Sequence, residues 1–301
     1  VLLRRRLYDQ VQDPSKFGRQ LLLKIMVGLL VGIIWLNEGR SQSFTSIFPT
    51  IGSLFLIVNN SSLDVLLDTV LHFPLSRALL KREYNNGMFS VFAFWLSTTL
   101  SNLMLCTLNA LLLALPVFFL VGFTLTWTTF GIFVATLTLM SLIGGALGVV
   151  TGCIAKDIGA ARTAVLPTLV PLLIFSGYLI PLKSIPWYFK WCYYASFFQY
   201  SFGVLQINEL LGRNFTQDCP VEQVEKAVED AIHQRFPSVP LPPLGNFTCQ
   251  GETYLQQQGL YPVPYGGLSG YFAILSGYMV VAQLGAYATL SWKVGVMASE
   301  H

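Results

Sequence analysis

The sequence predicts an all-α membrane protein: six transmembrane helices, an N-terminal amphipathic helix lying in the membrane interface, a re-entrant aromatic segment and a large external loop. Three observations carry that expectation. Of the 301 residues, 53% are apolar and only 11% charged, and the mean hydropathy is +0.59, a composition unlike that of a soluble domain. Several apolar runs reach the roughly 20 residues a helix needs to cross a hydrocarbon core of about 30 Å. Basic residues also gather between alternate runs, as they do on the cytoplasmic side of a membrane. The formal charge of +3 is too small to argue for a nucleic-acid partner. Five cysteines do not make a disulfide framework for a chain of this size. The whole of 1–301 reads as one transmembrane domain, and a start at Val1 without a signal-peptide pattern reads as part of a longer protein.

Residues 1–18 open the chain as the interfacial helix. Leu3, Leu7 and Val11 recur at i, i+4 and i+8 beside Arg4, Arg5 and Arg6, so one face meets acyl chains while the arginines reach anionic lipid. Asp13-Pro14 supplies an N-cap and a first-turn proline. The first span is expected at 20–36, the second at 47–67, the third at 89–121, the fourth at 128–153, the fifth at 163–180 and the sixth at 268–292. Between the second and third lies a cytoplasmic loop, 72–88, whose Arg77, Lys81 and Arg82 share one face of a short helix that Pro74 opens. Gly144, Gly148 and Gly152 give the fourth span a smooth face for close packing, within the chain or between two chains. Pro167 and Pro171 predict a kinked fifth span.

Orientation follows from charge. With the N-terminus inside, the cytoplasmic segments hold Arg4, Arg5, Arg6, Lys16, Arg19, Lys24, Arg77, Lys81, Arg82, Lys156, Arg162 and Lys293, and the short external loops hold only Arg40. Both termini are therefore expected in the cytoplasm. Ten aromatics crowd residues 187–202, nearly enough apolar chain to cross. Beyond them stand two glycosylation acceptors, Asn214-Phe-Thr216 and Asn246-Phe-Thr248, and two cysteines, Cys219 and Cys249, able to pair in an oxidising compartment. That combination places 182–267 outside, as a segment that dips in and returns followed by an extracellular loop. It also predicts the plasma membrane or another membrane of the secretory pathway.

Asn59, Asn60, Ser61, Ser62 and Asp64 fall in the inner half of the second span, with Asp68 one turn on. Ionisable groups at that depth mark a wet cavity or a partner; the alternatives are that Asp64 and Asp68 sit near the headgroups and are solvated, and that Asn59 and Asn60 bond a neighbouring helix. Asp64 in a cavity would favour cationic amphipaths. The three histidines are scattered, no phosphate-binding loop occurs and no cluster predicts a catalytic or metal site.

Six stretches in order carry a resemblance. They are Asp13-Pro14, Gly32-Ile-Ile-Trp35 with Gly39, Phe73-Pro74-Leu75 through Arg82-Glu83, Phe175-Ser176-Gly177-Tyr178, Tyr200 with Asn208-Glu209 and Gly212, and Cys249-x-Gly251-Glu252-x-Tyr254-Leu255 with Gly259. Together they resemble the ABC-2 type membrane domain of G-subfamily half-transporters, the White and breast-cancer-resistance-protein group. The resemblance implies the membrane-spanning half of an ATP-driven exporter that moves lipids, sterols, pigment precursors or xenobiotics by alternating access. It implies a nucleotide-binding domain, fused N-terminally and outside this chain, that binds ATP and Mg and meets a coupling helix of Phe73, Pro74, Arg77, Lys81, Arg82 and Glu83. It implies a second half-transporter, identical or different, and contact with membrane lipid. Val170 and Leu173, with Asn60 and Asp64, would line the substrate cavity. Tyr178 and Leu179 would form the exit plug, where such relatives carry a leucine pair. The sequence departs from the family at Ser76, where an acid is common, and at Thr98, Asn102 and Met104, where a Lys, an acid and a Pro are common. An ATP-independent channel or a membrane scaffold is the alternative.

Overall fold

The computed structural model describes residues 14–85, 90–155, 158–180, 182–218, 249–260 and 267–299. Nine helices are found among them. α1 is Pro14–Ile34, α2 Ile47–Asn85, α3 Val91–Val117, α4 Trp127–Ile154, α5 Ile158–Ile174, α6 Lys190–Ala195, α7 Phe197–Leu210, α8 Gly251–Gln258 and α9 Leu268–Ser299. A two-stranded antiparallel pair, β1 (Asn214–Phe215) and β2 (Cys249–Gln250), sets Asn214 opposite Gln250 and Phe215 opposite Cys249. The interfacial helix expected over residues 1–12 lies outside the described residues.

The ends of the helices follow local chemistry. Ser90 caps α3, its hydroxyl accepting from the Ala93 N–H at 3.3 Å. Thr126 and Thr129 form a reciprocal capping box on α4. Interior Ser and Thr side chains donate to the carbonyl of the preceding turn, as from Thr69 to Val65 at 2.7 Å and from Thr136 to Ile132 at 2.7 Å, so their hydroxyls cost little in an apolar setting.

α4 is the hub, packed against α2, α9, α3, α7 and α5. Its closest neighbour is α2, and the glycine face settles which partner it serves. A Cβ on Gly144 would collide with the Ser62 carbonyl oxygen; on Gly148 it would stand 2.7 Å from Thr69 Cβ, and on Gly152 3.0 Å from the Phe73 ring. The smooth face is therefore used within the chain. Ser141, one turn before Gly144, donates to the Ser61 carbonyl at 3.1 Å and extends the same contact.

Among the described residues five helical segments are long and apolar enough to cross a membrane, at Phe17–Ile34, Phe44–Phe73, Val91–Gly122, Trp127–Ile154 and Leu268–Val294. The expected fifth span, 163–180, is shifted toward the N-terminus, since α5 begins at Ile158. α5 has 17 residues, about 26 Å at 1.5 Å per residue, and stops at Ile174 rather than 180. Pro167 and Pro171 each lack the N–H that would support the preceding turn. The Ser176 N–H then turns back to the Leu173 carbonyl at 3.2 Å, and Gly177 takes a φ of +87°, which ends the helix.

The chain next runs through α6 into α7 and back to the end of the bundle it left. Ser196, between them, donates to the Leu172 carbonyl at 2.7 Å. Tyr278, ten residues into α9, donates to the Tyr194 carbonyl at 2.8 Å. Farther along α7, Gly203 meets Tyr271, and Glu209 reaches Thr124 in the α3–α4 connection. α7 is buried almost all round, as a helix enclosed by neighbours must be.

Overpacking a tight contact typically costs about 1–3 kcal/mol. Gly144→Ala should therefore lower the thermal midpoint and the folded yield in detergent more than Gly145→Ala, whose new methyl would stand 3.3 Å from a Val65 methyl. Gly277→Ala on α9 meets nothing within 4 Å and should be neutral or stabilising by up to about 1 kcal/mol.

Candidate functional site

The residues singled out from sequence separate into three levels along α2. Nearest its start, Tyr178 from the turn after α5 lies against it. The ring stacks on Phe55 at 4.5 Å and on Phe48 at 6.1 Å between centroids, and Phe202 of α7 meets it edge-on at 5.6 Å. Its hydroxyl lies over Gly52. Stacked and edge-on aromatic contacts of this kind add to simple burial. Leu179, the other expected plug residue, is instead half-exposed, as is Val170 on α5; Leu173 is half-buried against the core. Phe48, Leu56 and Leu67 of α2 also stand exposed, so α2 and α5 share an uncovered apolar strip.

At mid-height Asn60 and Asp64 meet a residue whose role the sequence had hidden. Lys24 of α1 forms an ion pair with Asp64 and donates to Asn60 Oδ1 at 3.3 Å. The Lys24 side chain is only 12% exposed, against 48% for Asp64. A four-residue spacing stacks the two acceptors on one face of α2, where one ammonium satisfies both. Lys24 had counted only as a marker of orientation; its position eight residues into a span, opposite an intramembrane acid, was the available signal. The pair offsets the charge that had suggested cation selectivity.

At the far level α2 does not end. It continues unbroken to Asn85, so the basic segment is an extension of the second span rather than a separate short helix. The 39 residues extend about 58 Å, well beyond a core of about 30 Å. Phe73, expected to face a soluble partner, is buried with Phe94, Cys153, Leu290 and Val294 and anchors the helix where it leaves α4. The side chains of Pro74, Arg77, Lys81, Arg82 and Glu83 lie outside the described residues.

The opposite end of the bundle is tied by a network that sequence reading missed. Glu209 is 5% exposed. It accepts from the Thr124 N–H at 3.1 Å and from Arg213 Nη1 at 2.8 Å. Arg213 also donates to the carbonyls of Gly39 and Ser41 and lies over the Phe215 ring at 5.0 Å. Burial pushes the Glu209 carboxyl up, against the opposing pull of Thr124 and Arg213. The i, i+4 Glu–Arg spacing was legible; its distant carbonyl partners were not. Asn214 is exposed on β1, and Cys249 is disulfide-bonded. Cys219 and Asn246 lie outside the described residues. Among the described residues no cluster of His, Cys, Asp or Glu could hold a metal ion.

A profile of the ABC-2 type transporter family matches residues 1–210. The chain is 30% identical over 201 residues to ABC transporter G family member 4 of Arabidopsis thaliana, covering 64% of this chain and 33% of that protein. It is 25% identical over 199 residues to Protein white of Ceratitis capitata, covering 66% and 29%. It is also 25% identical over 290 residues to the broad substrate specificity ATP-binding cassette transporter ABCG2 of Sus scrofa, covering 95% and 41%. The chain thus spans roughly a third of the length of these relatives.

The Lys24–Asp64 contact should show strong coupling. Lys24→Met leaves a carboxylate without its counter-charge and should lower the melting temperature. Adding Asp64→Asn should recover part of the loss, with a coupling of about 1–2 kcal/mol in a double-mutant cycle. Strictly additive losses would show that the pair does not hold α1 to α2.

Proposed function

The chain belongs to the ABC-2 type transporter family, and on that premise we propose that it is the membrane-spanning half of an ATP-driven exporter of hydrophobic or amphipathic small molecules. The observation that carries this reading is the continuity of α2. One helix runs from the rings that hold Tyr178, past the Lys24–Asp64 pair, to the basic segment at 74–85. A displacement at one end is thereby transmitted to the other without an intervening hinge.

In this proposal the extension of α2, with Pro74, Arg77, Lys81, Arg82 and Glu83, docks on a nucleotide-binding domain fused N-terminally in the parent protein. ATP and Mg bind that domain, and hydrolysis there supplies the work of closure. Phe73 acts as the fulcrum, because it is packed on Gly152. The uncovered strip of α2 and α5 faces a second half-transporter across the substrate cavity, with Val170 exposed to it, Leu173 forming its wall and Asn60 and Asp64 at its flank. Tyr178 closes the cavity toward the exit and Leu179 projects into the path beyond it. With Asp64 offset by Lys24, the strip is apolar in character, which suits lipids, sterols, pigment precursors or apolar xenobiotics. Both termini lie in the cytoplasm of a plasma-membrane or secretory-pathway protein. On the outer side Asn214 and Asn246 carry glycans and Cys219 pairs with Cys249. The return of α7 to the end from which the chain entered supports that side assignment, as does the exposure of Asn214.

The test is ATP hydrolysis by the complete parent protein in liposomes, with sterols, phospholipids and cationic amphipaths added in turn. Stimulation by sterol or another apolar class is the expected result. A folded, glycosylated parent with no ATPase activity would overturn the exporter reading in favour of a channel or scaffold. In the same assay Tyr178→Ala should lose transport about tenfold while retaining most ATP hydrolysis, because the barrier and not the motor is damaged; Tyr178→Phe keeps the stack and should behave nearly as the parent.

A further inference from the structure

Within the bundle lies a cavity of about 470 Å³, bounded by α1, α2, α3, α4 and α9. It is separate from the strip described above: none of Asn60, Asp64, Val170, Leu173, Tyr178 or Leu179 lines it. Its size falls within the roughly 300–1,000 Å³ typical of small-molecule sites. Its polar wall is unlike its surroundings. Asp68 supplies a carboxylate, with His72 Nε2 at 3.3 Å, and among the described residues no Lys or Arg lines the space. Both side chains are more than half exposed, so the cavity opens at their end, beside Gln20 of α1.

The remaining wall is aromatic and partly unsatisfied. Phe73, Phe94 and Trp95 line it. The Trp95 indole N–H is buried without a hydrogen-bond partner, a donor that an apolar environment penalises unless something accepts from it. Gln283 is held in place, accepting from Thr99 Oγ1 at 3.2 Å and donating to the Leu142 carbonyl at 3.3 Å. It therefore presents a fixed amide to the space. The ammonium of Lys24 is already engaged by Asp64 and Asn60.

We propose that this cavity binds an organic cation with an apolar body. The cationic head sits at Asp68, beside His72 at the mouth, where opposite charge draws it in, and the aromatic faces attract the same charge. The body extends along Leu105, Cys106 and Leu142, and the Trp95 N–H donates to any ether or carbonyl oxygen the ligand carries. Such a site lies inside one chain and needs no second copy.

The test uses two probes of the same size and opposite charge, tetraphenylphosphonium and tetraphenylborate, radiolabelled, on the complete parent protein in lipid nanodiscs without nucleotide. Export activity plays no part in the readout, so it is decided independently of the exporter reading. With each probe measured in its own sample, the expected result is saturable binding of the phosphonium and no saturable binding of the borate. Asp68→Asn should weaken it by about tenfold, the scale of about 1.4 kcal/mol, and Asp68→Glu should retain it. Equal binding of the two probes would overturn the proposal. So would an Asp68→Asn protein with the parent's elution profile, melting temperature and phosphonium affinity.

Discussion

The close approach of α2 to α4 is the constraint from which the rest of this architecture follows. Between two helices in lipid there is little hydrophobic gain, so contact must come from shape and from short polar links. Here Gly144, Gly148 and Gly152 let the α2 backbone and the Phe73 ring come within van der Waals reach, and Ser141 bonds across. Once α2 is fixed on α4, one flank is directed at α1, where Lys24 meets Asp64, and another at α5 and the Tyr178 turn. An apolar part of α2, with Phe48, Leu56 and Leu67, is left uncovered. The glycine face therefore decides which residues of α2 are free to act.

Charge is handled differently at different heights of the bundle. At mid-height a single lysine satisfies a carboxylate and an amide together, joining a helix that otherwise touches α2 lightly. At the glycosylation-acceptor end Glu209 and Arg213 draw the α1–α2 loop, the α3–α4 connection and the strand pair onto α7. Neither pair is a surface ornament, since Lys24 and Glu209 are both largely withdrawn from solvent. Asp68 differs: it stands with a histidine at the mouth of a polar hollow.

Much of this was legible in the chain. Spans one to four and the last were readable because about 20 apolar residues between charged flanks have few alternatives in water or lipid. The basic segment was recognised but misjudged in form. Pro74 looked like a helix start, whereas packing of Phe73 on Gly152 carries α2 straight through it. The fifth span was carried too far along the chain because hydropathy continues past Ile174, while the turn at Ser176–Gly177 depends on backbone geometry. Tyr178 was singled out from its motif, but its ring partners Phe48, Phe55 and Phe202 come from segments far apart in sequence. Periodicity cannot pair α1 with α2 either, so Lys24 stayed a bare charge until the fold put Asp64 beside it.

The brevity of α5 has a consequence for the surrounding lipid. A helix of about 26 Å beside neighbours that span a core of about 30 Å leaves a deficit of about 4 Å. The shortfall is met by a turn and by the exposed rings of Trp187, Tyr188 and Trp191, side chains suited to the headgroup boundary. Without them the bilayer would have to pinch inward on that flank, at a cost of a fraction of a kcal/mol for each ångström. A sterol-thickened membrane raises that cost and a thin one removes it. Membrane thickness thus bears directly on the helix that carries the Tyr178 turn.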